Sequence, residues 1–374
     1  MKYYLISGEA SGDLHGSNLM KGIKKADSNA DFRYWGGDLM ENQGGTLVKH
    51  YKYHAFMGFI TVLLNIKTVL NNLNQCKKDI IHYQPDVVIL IDYPGFNLRI
   101  AKFVKENGIR VFYYISPKIW AWKQSRIKII KQYVDKMFVI FPFEKDFYKK
   151  FSYPVNFCGN PLLDAIENRE NKNELFADFI KRNNLPDKPV IALVPGSRKQ
   201  EIKNILPVML SVISNYLDYQ FIITGTPSIE KGFYRKIIDK HNVKLIYNET
   251  YQIIQQSYVA LVTSGTAALE TALLNIPQVV CYKFPGGKLG YKLGTKLLKV
   301  KYISLVNLIM DKATVKELIQ HYLSTVNLKN EIDKILKDKD YKNQMLNDYK
   351  DLMSILGGAG ASERTAKLML SYLN

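Results

Sequence analysis

Short runs of β-branched and aromatic residues alternate along this chain with longer stretches of helical periodicity, the pattern of a parallel α/β architecture. Tyr3–Ser7 reads as the first strand, and a helix is expected from about Leu14. Asp86–Ile91 is continuously apolar after its first residue, as a strand covered on both faces must be. Arg110–Ile115 and Lys136–Phe141 read as further strands. Gly159-Asn160-Pro161 then breaks the pattern, and a charged, poorly apolar stretch runs from Glu167 to Lys188. A second series starts at Val190–Val194 and continues through Gln220–Thr224, Val243–Tyr247, Val259–Thr263 and Gln278–Tyr282. Ser264-Gly265 signals the start of a helix over Thr266–Leu274. After Gly357-Gly358-Ala359-Gly360 the tail reads as an amphipathic helix over Ala361–Leu373. The expectation is an α/β fold of two doubly wound domains, residues 1–165 and 166–360, with the terminal helix 361–374 returning to the first.

Composition changes this picture in two respects. The three cysteines, Cys76, Cys158 and Cys281, form no close pair, which argues against a disulfide framework or a zinc site and suits a reducing cytosol. Met1-Lys2-Tyr3-Tyr4-Leu5-Ile6 runs straight into a Gly-rich segment and lacks the apolar region of a secretory signal. The formal net charge is +18, carried by 52 Lys and Arg against 34 Asp and Glu. A surface of that sign attracts anionic lipid, nucleic acid or phosphorylated substrates. Nine of the cations are arginine, so much of the excess is a dispersed lysine background. One segment stands apart: no acid lies between Glu270 and Asp311, where Lys283, Lys288, Lys292, Lys296, Lys299 and Lys301 fall.

Open parallel sheets bind ligands beyond the carboxyl ends of their strands. Four polar or Gly-rich segments sit at such ends. Ser7-Gly8-Glu9-Ala10-Ser11-Gly12-Asp13 offers tight turns and close backbone approach, without the dinucleotide fingerprint. In Ile91-Asp92-Tyr93-Pro94-Gly95-Phe96-Asn97, Asp92 follows a buried strand and suits a base acting on a bound hydroxyl. In Pro195-Gly196-Ser197-Arg198, glycine lets the backbone approach a phosphate and Arg198 adds a planar donor fork. In Thr263–Glu270, the small residues Ser264, Gly265 and Thr266 open a helix whose free N–H groups suit an anion, and Glu270 suits ribose hydroxyls. The six histidines form no ligand cluster, so neither a metal nor another cofactor is expected.

Taken together and in order, these segments resemble the lipid-A-disaccharide synthase family. Gly8–Asp13 is similar to its Gly-Glu-Ala-Ser-Gly-Asp opening, Met57-Gly58-Phe59 to its Met-Gly element, and Ile91–Asn97 to its Ile-Asp-x-Pro-x-Phe-Asn strand end. Tyr114–Trp122 with Arg126, Phe141–Glu144, Gly159–Pro161, Pro195–Arg198 with Glu201, Ser264–Glu270 and Ser304–Asn307 continue the match. The resemblance implies Rossmann-like domains of the GT-B type facing a cleft, with acceptor on the first and UDP-sugar on the second. It implies an inverting transfer between UDP-2,3-diacylglucosamine and 2,3-diacylglucosamine 1-phosphate that makes the β-1,6-linked disaccharide 1-phosphate and releases UDP. Asp92 falls on the family's candidate catalytic aspartate and Arg198 on its essential arginine. Glu9, Ser11, Gly12, Asp13, Met57, Gly58, Asn97, Ser116 and Trp120 are implied to bind substrate. Gly196, Ser197, Arg198, Ser264, Gly265, Thr266, Glu270 and Asn307 are implied to bind UDP. The chain departs from the family at Thr61, where Glu is usual, at Gly95, where many members carry a second acid, and at Val306, a common proline.

Another GT-B enzyme acting on a UDP-sugar, an epimerase or a transferase with a soluble acceptor, would explain the nucleotide loops equally well. It would not explain the acid-free lysine segment or the Tyr114–Trp122 match. A nucleic-acid module lacks support, since no RRM, zinc-finger or helix-turn-helix signature occurs. Lys288, Lys292 and Lys296 recur at helical spacing beside Leu289, Leu293 and Leu297, the pattern of an interfacial helix. A cytoplasmic protein attached peripherally to the inner membrane is therefore expected.

Overall fold

In the computed structural model, residues 1–53, 66–284 and 300–373 are described. The chain forms two compact units. The first comprises Met1–Ala165 together with the chain from Leu356 onward, and the second comprises Ile166–Ile355.

The first unit is built on a sheet of β1 (Lys2–Ile6), β2 (Asp31–Gly36), β3 (Thr46–His50), β4 (Val87–Ile91), β5 (Arg110–Tyr114), β6 (Lys136–Val139) and β7 (Asn156–Phe157). The spatial order is β3-β2-β1-β4-β5-β6-β7, and all pairs are parallel. The alternation of strand side chains divides its core in two. Tyr4, Ile6, Val88 and Leu90 enter one apolar cluster, while Tyr3, Leu5, Val87, Ile89 and Ile91 enter the other. Both clusters are solvent-free, so these strands read as unbroken apolar runs.

The second unit repeats the plan with β8 (Val190–Val194), β9 (Gln220–Gly225), β10 (Lys244–Tyr247), β11 (Ser257–Thr263), β12 (Gln278–Tyr282) and β13 (Lys316–Ile319). Its order is β10-β9-β8-β11-β12-β13, again parallel. In both sheets the first strand in sequence is central, and the order reverses beside it.

The strands read from pattern are present with boundaries shifted by a residue or two. Four others carry weaker signals. β2 interrupts its apolar residues with Arg33, β3 ends on Lys49 and His50, β7 has two residues, and β13 alternates Lys316 and Glu317 with Leu318 and Ile319. The first helix opens at Ala10, earlier than Leu14, so Ser11, Gly12 and Asp13 form its first turn. Its glycines serve packing: a Cβ on Gly8 would lie 2.3 Å from the Tyr93 ring, and one on Gly12 would lie 2.9 Å from Ser7 Cβ.

The terminal helix Ala361–Ser371 lies on helix Ala10–Ala26, where a Cβ on Gly22 would come within 3.0 Å of Ala366 and Ser362. Buried Asp164 holds its start. The carboxylate accepts from the N–H groups of Gly360 at 2.5 Å, Ala361 at 3.2 Å and Ser362 at 2.8 Å. Arg364 donates to the carbonyls of Cys158, Ala359 and Gly357 at 2.7–2.9 Å. Leu356 accepts from the Asn160 N–H at 2.9 Å. Together these bonds fasten the Gly-rich run to the first unit.

Removing the Asp164 carboxylate would leave three backbone donors at a buried helix start without that acceptor. Asp164→Ala is expected to lower stability by about 2–3 kcal/mol, more than an ordinary cap. All three tryptophans, Trp35, Trp120 and Trp122, lie in the first unit, so their fluorescence in a urea titration reads its unfolding. An unchanged midpoint would show that this clasp adds nothing.

Candidate functional site

At the carboxyl end of β4 the backbone turns sharply. Asp92 has φ +44° and Tyr93 φ +46°, two consecutive left-handed residues, neither of them glycine. Such residues are uncommon and persist only where surroundings hold them. The Asp92 N–H donates to the Tyr114 carbonyl at 3.1 Å. The Asp92 carbonyl accepts from Asn97 Nδ2 at 2.8 Å and from the Tyr113 hydroxyl. With both backbone groups fixed, the half-buried carboxyl has a defined direction. Burial raises its pKa above the ordinary carboxylate value, and the charge of Lys118 pulls it partly back.

The neighbouring expected residues divide into two groups. Glu9 is half-buried at the N-cap of helix Ala10–Ala26, and Ser11 is exposed in its first turn. The others face inward. Asp13 accepts from the N–H groups of Gly37, Leu39 and Met40 at 2.7–3.1 Å, holding the short helix Asp38–Glu41. Gly12 is packed on Ser7. Asn97 is fully buried, and its Nδ2 also donates to the Ile91 carbonyl at 3.2 Å, so it shapes the strand end. Trp120 is nearly buried, edge-on to Phe143 with ring centres 5.0 Å apart. Ser116 is buried and bonded through Oγ to Glu144. Met57 and Gly58 lie outside the described residues.

Glu144 stands out in the sequence only as part of a motif, yet it organises this end of the sheet. Its second carboxyl oxygen accepts from the N–H groups of Ile140 at 3.1 Å and Phe141 at 2.9 Å. An acid closing the aromatic run Phe141-Pro142-Phe143 was the available signal. Tyr93 and Tyr113, which pack beside and hold Asp92, carried no chemical signal beyond their place in strand and turn.

In the second unit the corresponding strand ends are those of β8 and β11. Gly196 has φ +106°, and a Cβ there would lie 2.6 Å from Glu201 Oε2, so glycine is required twice over. Ser197 and Arg198 are exposed, and Arg198 is the N-cap residue of helix Lys199–Leu210. The Arg198 fork is not wholly free: Nη1 bonds Glu201 Oε1 at 2.9 Å. Its side chain is 64% exposed, so this pair is worth only ~0–1 kcal/mol and yields to a doubly charged ligand.

Gly265 has φ +152° with open space around its Cβ position, and no side chain caps the helix Thr266–Leu273. Thr266 is exposed, and Ser264 Oγ donates to the Ile303 carbonyl at 2.9 Å. Glu270 is half-buried, accepts from the Tyr251 hydroxyl at 3.1 Å, and is raised in pKa by burial. Asn307 is buried and pins its own loop. Its amide donates to the Val315 carbonyl at 2.9 Å and to Glu317 Oε1 at 3.0 Å, and its carbonyl accepts from the Val315 N–H. It therefore fixes the loop following Ser304. The lysine segment expected at the membrane falls largely within residues 285–299, outside the described residues. Among the described residues no helix is long and apolar enough to cross a membrane.

A family model described as Lipid-A-disaccharide synthetase matches residues 3–370. A lipid-A-disaccharide synthase from Syntrophus aciditrophicus is 37% identical over 99% of this chain and 97% of its own length. The Geobacter sulfurreducens lipid-A-disaccharide synthase is 34% identical over 99% and 96%. Among solved structures, a complex of S. aureus MnaA with UDP superposes with a TM-score of 0.72 at 16% identity, covering 100% of this chain and 97% of that one. A UDP-GlcNAc 2-epimerase from Neisseria meningitidis bound to UDP-GlcNAc gives 0.66 at 15% identity, with both chains fully covered. These structural likenesses establish the fold, a GT-B pair of Rossmann-like units.

Glu144 supplies a test of the first unit's electrostatics. Burial pushes its pKa from an ordinary 4.5 up to about 7. Between these values the folded state holds a proton that the unfolded state has lost. Its contribution is therefore full below the ordinary value and lost as pH rises toward neutrality. Glu144→Gln, neutral throughout, is expected to gain on wild type by about 3 kcal/mol across that window. Urea midpoints of both proteins at pH 5 and pH 8 measure this, and a constant difference between them would refute it.

Proposed function

The chain belongs to the lipid-A-disaccharide synthase family, whose members are glycosyltransferases, and on that premise we propose the reaction in full. UDP-2,3-diacylglucosamine is the donor and 2,3-diacylglucosamine 1-phosphate the acceptor. The product is the β-1,6-linked disaccharide 1-phosphate, formed with inversion, and UDP departs. The observation that carries this reading is the left-handed pair Asp92-Tyr93, which fixes a carboxyl of raised proton affinity at the sheet's reversal point.

Asp92, as carboxylate, accepts the proton of the acceptor 6-hydroxyl while that oxygen bonds to the donor's anomeric carbon. The bond from that carbon to the diphosphate oxygen breaks, and UDP leaves with the electron pair. Arg198 and the N–H groups at Thr266 receive the developing charge, with Gly196, Ser197, Ser264 and Gly265 shaping their loops. Glu270 accepts from the ribose. On the acceptor side, Glu9 and Ser11 meet sugar hydroxyls, Asn97 holds the Asp92 turn, and Asp13, Ser116 and Trp120 hold the chain around it. The +18 charge supports reversible attachment of a cytoplasmic enzyme to the anionic inner membrane surface, where both lipid substrates reside.

Asp92→Asn is expected to lower kcat at least ~10²-fold, the value of general-base help, with UDP affinity unchanged. Retention of more than about a tenth of wild-type kcat would exclude the base role. Arg198→Lys replaces a planar fork by a point charge, and UDP should bind about tenfold more weakly in calorimetry. Equal affinity would remove Arg198 from the diphosphate contact.

A further inference from the structure

A groove of about 440 Å³ opens in the first unit at Pro94 and Gly95, directly after the Asp92-Tyr93 turn. It runs between helix Pro94–Glu106 and helix Ile127–Tyr133. Arg99 and Lys102 line one side and Arg126 the other, with Leu98, Ile129 and Tyr133 supplying apolar surface. The lining contains no carboxylate. Lys102 has Glu106 at 3.8 Å, both well exposed. Arg126 is half-buried, burial and the Arg99 charge lower its proton affinity, and both guanidinium residues line the groove. An Arg99 Nη1 bond to the Gly95 carbonyl steadies the groove mouth. Arg126 also acts electrostatically on Tyr113, whose hydroxyl bonds the Asp92 carbonyl. The groove begins at Pro94, two residues after the candidate base.

We propose that this groove binds the phosphate monoester of the acceptor lipid through Arg99, Lys102 and Arg126. The inference rests on the reading of the acceptor as a sugar 1-phosphate and adds where that phosphate goes. Guanidinium forks match the oxygens of a phosphate monoester bidentately. The volume lies within the ~300–1,000 Å³ usual for small-molecule sites. With the 6-hydroxyl at Asp92, the anomeric phosphate lies across one sugar ring, and the groove mouth lies just beyond the same turn. Leu98, Ile129 and exposed Trp122, over which Lys123 and Arg126 sit at 4.6 and 5.9 Å, provide apolar surface beside the charge for an acylated ligand.

Arg99 and Lys102 are both exposed in the groove lining, so Arg99→Gln and Lys102→Gln each remove one positive charge without disturbing packed atoms. Lys102→Gln and Arg99→Gln are compared with wild type, using the phosphorylated acceptor and the same lipid without its phosphate, both in neutral detergent micelles. Calorimetric Kd and steady-state KM for the phosphorylated lipid should rise at least about tenfold in both variants, the size of one charge-assisted hydrogen bond. Values for the dephosphorylated lipid should stay within twofold. Equal changes for both lipids, or none, overturn the proposal. It also falls if the variants lose only sedimentation with anionic phospholipid vesicles, because the groove would then hold membrane head groups. A wild-type chain that binds the phosphorylated lipid in this groove-dependent manner without transferring to it would sink the functional reading alone.

Discussion

The reversal of strand order beside β1 and beside β8 governs where chemistry can occur in this protein. Connections from neighbouring strands leave for opposite faces at that point, and the strand ends are left uncovered. Elsewhere both faces of each sheet carry helices, so the strand interiors must be apolar and can hold no reactive group. Asp92 ends β4, next to β1, and the Gly196 and Gly265 loops end β8 and β11. The positions of all three segments are therefore consequences of one topological rule, applied twice.

At the first reversal the fold holds a conformation the local sequence disfavours. Left-handed φ at Asp92 and Tyr93 costs on the order of 1–3 kcal/mol for each residue. The bonds from Asn97 and Tyr113 to the Asp92 carbonyl offset part of it, as does the Tyr93 ring, stacked on Phe96 at 5.5 Å and filling the space over Gly8. Several of the expected substrate-binding residues make bonds that hold the surrounding chain. Asp13 and Ser116 are buried with their polar groups bonded to the chain, and Asn97 is buried with its Nδ2 bonded to the Ile91 and Asp92 carbonyls.

The central strands were legible because burial on both faces leaves a continuous apolar signature. The edges were not: β7 is two residues long, and β13 mixes Lys316 and Glu317 into a half-covered edge where polarity costs little. The chemistry-bearing segments were legible at the level of loops, since glycine, small polar residues and a strand-end acid carry a local signal. Their internal assignment was not. Whether Asp13 faces a ligand or the N–H groups of Gly37 and Leu39 depends on a segment more than twenty residues away. Asn307 likewise depends on Val315 and Glu317. Glycine was read as room for a ligand, whereas at Gly8 and Gly12 the room is taken by Tyr93 and Ser7.

The scarcity of arginine among so many lysines is informative for the same reason. A guanidinium is chosen where direction matters, and an ammonium suffices for a solvated charge. Five of the nine arginines are locked into the fold. Arg33 pairs with Asp79 and Arg182 with Glu174 and Glu249. Arg169 grips Gln255, and Arg110 and Arg364 tie down carbonyls near the C-terminus and the Gly-rich run. Arg235 is exposed near the end of its helix, where a cation complements the dipole. The remaining three, Arg99, Arg126 and Arg198, stand at the two strand-end regions, where half-buried Glu201 contacts Arg198. The net charge of the chain shows only that it favours anions, whereas a planar guanidinium not tied into the fold is suited to an anion of fixed geometry such as a phosphate ester.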